Sequence, residues 1–586
     1  MNKSVIKKTS FWLAIVILAV ISSCCIFWGL RTGLPSNERL IHELGGAKNV
    51  IKKEKQVTEF MTTGKHVRSE FISMDQKPKM VEMSPYFDLI RTYHPDEQYI
   101  IKILANMAKN KEFQPSSFIY GPFFFYQMGA GVFAAKVAGV LPPQTDVVYF
   151  MKNPSEFASV YLGARTLIAV MGVLSVIITF LIGLELSGIK LGFIAALMLS
   201  SIPLFNLAGK FIKPDMPCLL WSSCALLFSI YIYKHGRLRD YLIAGICVAF
   251  AAGSKYPGVL SCFYIAAYFF ARNYDFAKKS KDNFRNIIKG KEFKYLIGSG
   301  LACIVAFIIT NPSCVLKYSL FSSDVNWIAS VLRKGNFFAN LFDFIICFFY
   351  DGFFFNIGST MLIFLIVGLI LNIVKPSKLY WPMLTVIALF VIMASRGRPG
   401  SEAYLLPLLA PVSLISAHLI ENIKSKTIMY SIVFIVVIPS FALTIAYNII
   451  AAGENSRLTA TKWINQNVPA GSSISRKQYP VSYRTAMTNP DLYPHYNSML
   501  QAKKAKLANY FIDCSFDWEG PSWKKRFNKN YNPSHPPTND FVEIKKIENI
   551  PMLFGFIPVK RNYMLGSYLE TVSPQIIIYK RKEKTE

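Results

Sequence analysis

Apolar and polar positions in this chain segregate into long blocks instead of alternating. Apolar runs close to the ~20 residues that cross a bilayer recur near 11–30, 158–184, 189–208, 216–233, 240–254, 257–272, 295–311, 354–373, 380–395, 403–420 and 428–450. The pattern predicts about eleven membrane helices. A further helix-like stretch, YGPFFFYQMGAGVFAAKVAGV, lies inside the otherwise polar segment 31–157. After residue 450 the blocks end. RLTATKWINQNVPAGSSIS reads as a helix, a Pro-Gly stop and a short strand, and AKLANYFID and PQIIIYKRK read as further strands. The predicted architecture is therefore an α-helical polytopic membrane protein, residues 1–450, with 31–157 as a first outer loop carrying amphipathic helices. A small α/β domain, 451–586, follows outside the membrane.

Charge orients these blocks. The chain of 586 residues is 52% hydrophobic and 17% charged, with a net charge of +29. Much of the Lys and Arg lies in KHGRLRD (234–240), RNYDFAKKSKDNFRNIIKGKEFK (272–294), KPSK (375–378) and ENIKSK (421–426). All four loops fall on one side if the N-terminus is cytoplasmic, as the positive-inside rule requires. The segment 31–157 and the C-terminal domain then face away from the cytosol, in a bacterial inner membrane or with the same face toward a lumen. The positive charge is absorbed by topology and anionic lipid, and no nucleic-acid motif is present. The apolar N-terminal run is too long for a signal-peptide core and reads as an uncleaved span. Most of the ten cysteines sit in apolar segments and read as packing residues, with Cys314 and Cys514 as the pair that topology would allow to bridge. The seven histidines show no metal-ligand spacing.

Candidate chemistry begins at RTYHPDEQYIIKILANMAKN (91–110). His94-Pro95-Asp96-Glu97 has the composition of a helix start, since Pro fits the first turn and carboxylates favour the positive end of the dipole. A carboxylate there also keeps a low pKa and can act as a general base. In LAGKFIKPDMPCLLW (207–221), either Asp215 starts the next helix with Lys210 and Lys213 at the membrane interface, or it faces the same cleft as a second acid. In AGICVAFAAGSKYPGVLSCFY (244–264), Pro257 and Gly258 interrupt the helix and leave Lys255 near membrane depth, where a charge costs ~2.5–3.5 kcal/mol. It either snorkels to the surface or meets an anion. Arg396 and Arg398 stand in an outer loop, against the charge rule, and guanidinium groups suit phosphate. Arg165, near the outer end of its span, is an interface anchor or a further cleft cation.

These segments resemble, in order, the C-type glycosyltransferases (the GT-C superfamily), and within them the glycosyltransferase family 39 group. That group includes protein O-mannosyltransferases and the transferases that add aminoarabinose to lipid A. The resemblance is carried by DEQYIIKILANMAKNKEFQPSSFIYGPFFFYQMG, by the helix ending Ser254-Lys255, by Tyr404…Pro407…Pro411 after a basic loop, and by ENSRLTATKWINQNVPAGSSI (454–474). It implies Asp96 as catalytic base with Glu97 as its partner. It implies Lys255, Arg396, Arg398, Asp215, Arg165 and Tyr404 as contacts to substrate and its phosphate. The implied substrates are a polyprenyl-phosphate-linked sugar and a lipid, glycan or protein acceptor. The sequence fixes no cofactor, and the carboxylates could hold a divalent metal, as in some superfamily members. One departure stands out. The aminoarabinose transferases have a Lys before the Pro-aromatic run, where this chain has Tyr120-Gly121-Pro122. Three other readings compete: a transporter or flippase of a lipid-linked anion, which should show an inverted repeat that is not found; a membrane-anchored scaffold or receptor, which would need no acidic pair beside a cationic cleft; and a lipid-dependent oligosaccharide ligase.

Overall fold

The computed structural model describes residues 3–52, 89–280, 284–332, 338, 341–342, 359–374, 377–394, 402–476, 485–493, 496–498, 508–515, 540–559 and 571–582. Helices occupy every predicted apolar block: α1 (Lys3–Phe27), α5 (Pro154–Leu186), α6 (Ile189–Ser201), α8 (Asp215–His235), α9 (Leu238–Ser254), α10 (Cys262–Ser280), α11 (Lys291–Thr310), α13 (Ser359–Val374), α14 (Trp381–Ala394), α15 (Leu409–Glu421) and α16 (Lys426–Ala452). Between α1 and α5 lie α2 (Asn37–Leu44), α3 (Pro95–Asn110) and α4 (Pro122–Val137). A short helix α7 (Pro203–Ala208) follows α6, and α12 (Tyr318–Leu332) follows α11. Among the described residues, five helices are long and apolar enough to cross a membrane, namely Thr9–Phe27 of α1, α5, α8, α11 and α16, and shorter apolar helices accompany them. The chain is a polytopic helical membrane protein.

Three of the predicted spans are interrupted. The run 189–208 breaks at Ile202, because Pro203 cannot donate into the preceding turn. The run 257–272 starts as a 3₁₀ turn, Tyr256–Ser261, before α10 begins. The run 403–420 likewise opens with a 3₁₀ stretch, Glu402–Leu408, which contains Pro407.

Small residues let the bundle helices approach closely, the usual device where lipid removes the hydrophobic drive for association. A β-carbon on Gly183 would meet Gly192 Cα at 2.4 Å, and one on Gly245 would meet Ser299 O at 2.2 Å. These contacts lock α5 to α6 and α9 to α11. At one end of the bundle, basic residues pair with acids and helix-end carbonyls: Lys234 with Glu185, Arg272 with Glu292 and with Tyr233 O, and Lys190 with Glu421 O. The opposite end carries α2, α3, the start of α4 and the C-terminal domain.

That domain joins helix α17 (Ser456–Asn467) to a five-stranded sheet of β1 (Ile474–Arg476), β2 (Tyr496–Ser498), β3 (Tyr510–Cys514), β4 (Phe541–Ile547) and β5 (Ile576–Arg581). The strand order is β2-β1-β3-β5-β4, with β1 parallel to β2 and β3, and β5 antiparallel to β3 and β4. The helix, the Pro469–Gly471 stop and the strands lie where the sequence predicts them, and Gly471 takes φ +82°. Ala460, Ile464 and Val468 of the helix side pack on Ile474, Ile512, Ile576 and Ile578 of the sheet. Cys314 and Cys514 are both free thiols, so the bridge that topology allowed is not formed.

Candidate active site

The site is built from the N-terminus of α3, the turn after α9, and the loops between. His94 is the N-cap of α3, and its Nδ1 accepts a hydrogen bond from the Asp96 backbone N–H at 3.2 Å. Pro95 fills the first helical position. Burial, reinforced by the nearby Lys213 ammonium, pushes the His94 pKa down to about 3, so the ring is neutral and can accept.

The two adjacent carboxylates have different surroundings. Glu97 points into the protein and is fully buried. Arg165 of α5 reaches it with Nε and Nη2 at 2.8 and 2.6 Å, and Ile212 N–H donates to it at 2.9 Å. Arg165 Nη1 donates to Leu30 O and Thr32 O at 2.7 and 2.8 Å, just beyond the end of α1. Burial alone would raise the Glu97 pKa, but the Arg165 guanidinium holds it below the usual range. This bidentate pair fixes the start of α3 to two bundle helices. Asp96, by contrast, is half-buried. Beside it stands Tyr120, whose phenol is raised well above its ordinary value by burial and by the adjacent Asp96 carboxylate, with which its hydroxyl hydrogen-bonds.

The second half of the site follows from the helix break. After Ser254, Lys255 leaves α9 in an extended conformation (φ −143°, ψ 120°), and Gly258 N–H closes the turn on Lys255 O at 2.7 Å. The chain reverses onto its own helix, so that a β-carbon on Gly258 would meet Ala251 C and O at 2.5 Å. Lys255 Nζ pairs with Asp215 Oδ1 at the start of α8 and lies 4.8 Å above the Tyr404 ring. Lys213 approaches the other oxygen of Asp215 at 3.8 Å. One carboxylate thus gathers two ammonium groups.

Backbone contacts tie the two halves together. Tyr256 donates to Phe118 O at 2.7 Å, and Asp324 of α12 accepts from Phe118 N–H at 2.7 Å and Ser117 Oγ at 3.2 Å. The turn carrying Tyr120 is therefore fastened to the residue next to Lys255. Gly121, the N-cap of α4, lies so close to Gly253 O that a β-carbon there would sit 1.9 Å from it. Phe123 N–H donates to Asn311 Oδ1 at the end of α11 at 3.1 Å, and Gln127 donates to Ser254 Oγ at 2.9 Å. These polar links across four helices fix the last turn of α9. Above them, the Tyr93 ring lies between the Arg39 and Arg457 guanidiniums, at 4.5 and 4.9 Å. Arg457 also donates to Thr571 O at 3.0 Å, so the C-terminal domain grips the segment that leads into α3.

Of the residues singled out in the sequence, Asp96 and Asp215 both act on Tyr120, and Lys255 joins Asp215 to the Tyr404 ring. Glu97 and Arg165 are committed to each other. Arg396 and Arg398 lie outside the described residues. Lys210, read in the sequence as an interface lysine, is buried and donates to Cys25 O and Ile26 O at 2.9 Å, capping the end of α1. Tyr120, Asn311 and Arg457 are not among the sequence candidates, although Tyr120-Gly121-Pro122 and ENSRLTATKWINQNVPAGSSI, which contains Arg457, are both sequence signals. Among the described residues no three His, Cys, Asp or Glu side chains converge as a metal site requires. Asp215 and Glu97 already have cationic partners that a divalent ion would have to displace, so the donor set does not fit one.

Residues 157–310 match the family model described as dolichyl-phosphate-mannose-protein mannosyltransferase. Among curated protein sequences none matches this one. Similar solved structures include the Archaeoglobus fulgidus oligosaccharyltransferase complexed with zinc and sulfate (14% identity, TM-score 0.41, covering 72% of this chain and 64% of that one). The same organism's oligosaccharyltransferase AglB, with an inhibitory peptide and a dolichol-phosphate, aligns at 14% identity and TM-score 0.42 over 87% of this chain and 70% of that one. ArnT from Cupriavidus metallidurans bound to undecaprenyl phosphate aligns at 12% identity and TM-score 0.41 over 72% and 88%. The chain spans just under two thirds of the length of the first of these. Residues 157–310 thus resemble the dolichyl-phosphate-mannose-protein mannosyltransferase family, in line with the resemblance to C-type glycosyltransferases read from the sequence.

Proposed function

We propose that this protein is a membrane glycosyltransferase that moves a sugar from a polyprenyl-phosphate donor to an acceptor hydroxyl on the non-cytoplasmic face. The observation that carries the reading is that the half-buried Asp96 carboxylate and the Asp215 carboxylate, which holds Lys255, both act on the Tyr120 phenol, in a turn braced by the Tyr256–Phe118 hydrogen bond. Lys213 and Lys255 both stand at Asp215, so two ammonium groups are gathered where the phosphate of a lipid-linked donor would lie. Those ammonium groups neutralise the phosphate as it leaves. Arg396 and Arg398, in the loop before Tyr404, are proposed as further phosphate ligands.

In the step itself, Asp96 takes the proton of the acceptor hydroxyl as its oxygen attacks the anomeric carbon. The bond from that carbon to the phosphate oxygen breaks, and polyprenyl phosphate departs with the electron pair. Attack from the side opposite the phosphate inverts the anomeric centre. Tyr120 remains protonated and holds one Asp96 oxygen, leaving the other to face the acceptor. Glu97 and Arg165 are positioning residues, since both are saturated by each other and by backbone groups.

The testing experiment uses the purified full chain in proteoliposomes with a panel of polyprenyl-phosphate sugars and candidate acceptors. Acceptor-dependent release of free polyprenyl phosphate is expected for at least one donor. Binding of donors without release under any acceptor, or movement of intact donor between leaflets, would overturn the reading.

A further inference from the structure

The segment IPMLFGFIPV, residues 550–559, has no charged residue and is followed by Lys560 and Arg561. It forms a small hairpin apart from the five-stranded sheet: Met552–Leu553 pairs antiparallel with Ile557–Pro558. Gly555 and Phe556 donate their N–H groups to Met552 O and Leu553 O at 3.2 Å. At the tip Phe554 has φ +54° and Gly555 φ +84°. Two consecutive left-handed residues make a turn that ordinarily carries Asn, Asp or Gly at its first position. An aromatic β-carbon crowds the backbone there. The ring gains no interior packing in return, since Phe554 is 50% exposed, Phe556 71% and Ile557 45%.

The hairpin's position indicates what covers these side chains. Just before it, Asn549 donates to Glu454 O at 3.2 Å and to Ser573 Oγ at 2.9 Å, beyond the C-terminal end of α16. The first strand packs against α16, and the inward side chains Leu553 and Val559 join the main core of the bundle. Helix α16 is long and apolar enough to cross the membrane, and it exposes Ile445 and Ile449 on its outside. The outward Phe554, Phe556 and Ile557 thus lie at the rim of a membrane span. An apolar aromatic tip beside a basic pair has the composition of a segment lying at the bilayer interface.

We propose that this hairpin anchors the C-terminal domain to the bilayer, with Phe554 and Phe556 inserted among lipid chains beside α16. The occupant is phospholipid, and the strained turn serves to present an aromatic ring where a polar turn residue would stay in water. The anchor would hold the C-terminal domain in register with the bundle at the end where Arg457 grips Tyr93.

The test places the photocrosslinker p-benzoylphenylalanine at position 554 or 556 of the full chain, in vesicles of phosphatidylcholine and phosphatidylglycerol, with adducts read by mass spectrometry. Position 449 on α16 and position 543 on the exposed face of β4 are the controls. Lipid adducts at 554 and 556 comparable to those at 449, and absent at 543, are expected. Labelling at 449 with none at 554 and 556, or crosslinks from 556 to a second copy of the chain, would overturn the proposal. Phe554→Asn separates anchoring from folding. It should leave the melting temperature in detergent unchanged or a few degrees higher, because Asn suits the turn. A clear drop would make the ring a structural wedge and overturn its assignment as an anchor.

Discussion

The two ends of the helical bundle both carry ion pairs, but in different settings. At the basic end, Lys234–Glu185 and Arg272–Glu292 remain accessible to water, with side chains roughly a quarter exposed. At the other end, Glu97–Arg165 is fully buried, and Asp215–Lys255 nearly so on its acidic side. Solvent-accessible pairs contribute little and need little support. Buried pairs lose hydration that their attraction only partly restores, so a packed apolar substitute is often as stable or more so. Their concentration at one end is therefore better explained by the need to position charges than by stability. Glu97 and Arg165 occupy interior positions where apolar residues would pack, and they hold the start of α3, and with it Asp96, against the bundle.

The largest expected effect tests Asp96, the half-buried neighbour of the sealed Glu97. Asp96→Asn should lower turnover by about 10²–10⁴-fold, the usual contribution of a positioned base, while polyprenyl-phosphate-sugar binding is retained. Turnover within a few-fold of the parent would remove Asp96 as base.

Next comes the contrast between the ends. Arg165→Met leaves Glu97 charged and buried, at a cost of about 3–5 kcal/mol. Lys234→Ala removes a half-buried partner and should cost at most about 1 kcal/mol. Thermal unfolding of both variants in the same detergent measures the difference. Equal melting temperatures would abolish the distinction between the ends.

Lys255→Gln should weaken donor capture by about 1.5–3 kcal/mol, the range for hydrogen bonds to charged groups. That appears as a kcat/KM for donor lowered more than ten-fold, with kcat falling as well because the departing phosphate loses a counter-charge. An unchanged kcat would confine Lys255 to donor binding.

The smallest effect is a pH dependence. His94 is held near 3 by burial and by Lys213, with Glu97, Arg165 and Asp215 also facing it. Its folded value lies below the unfolded value of ~6.5, so the unfolded chain binds more protons as acid is added. The neutral ring's contribution is complete above pH ~6.5 and is lost as pH falls toward 3, amounting to about 1–2 kcal/mol between pH 7 and 5. His94→Asn, which keeps a capping acceptor, should flatten that part of the stability profile. An unchanged slope would assign the acid sensitivity to other groups.

Much of the architecture was legible in the chain. Apolar blocks of membrane length specify helices whatever surrounds them, and Pro203, Pro257 and Pro407 mark where those helices break or tighten. The turn at Lys255 follows from Ser254-Lys255-Tyr256-Pro257-Gly258 alone, because proline and glycine act on their immediate neighbours. The helix, stop and strand after residue 455 are local in the same sense. The site was legible in its residue types but not in its division of labour. Asp96 and Glu97 are adjacent and chemically alike, and only the direction each takes from the helix start separates an accessible carboxylate from one sealed against Arg165. Lys210, an interface lysine by sequence, became a cap for α1 because the loop carrying it folds over Cys25 and Ile26.

The sequence by itself determined where helices lie, where they stop and which loops are basic, since hydropathy, proline geometry and charge act through residues close along the chain. Tertiary structure alone decided which charges meet. Glu97 finds Arg165 sixty-eight positions away, Asp215 finds Lys255 forty positions away, and Arg457 reaches back to Tyr93. An ion's energy depends on its desolvation and its partners, and both are set only once distant segments have packed.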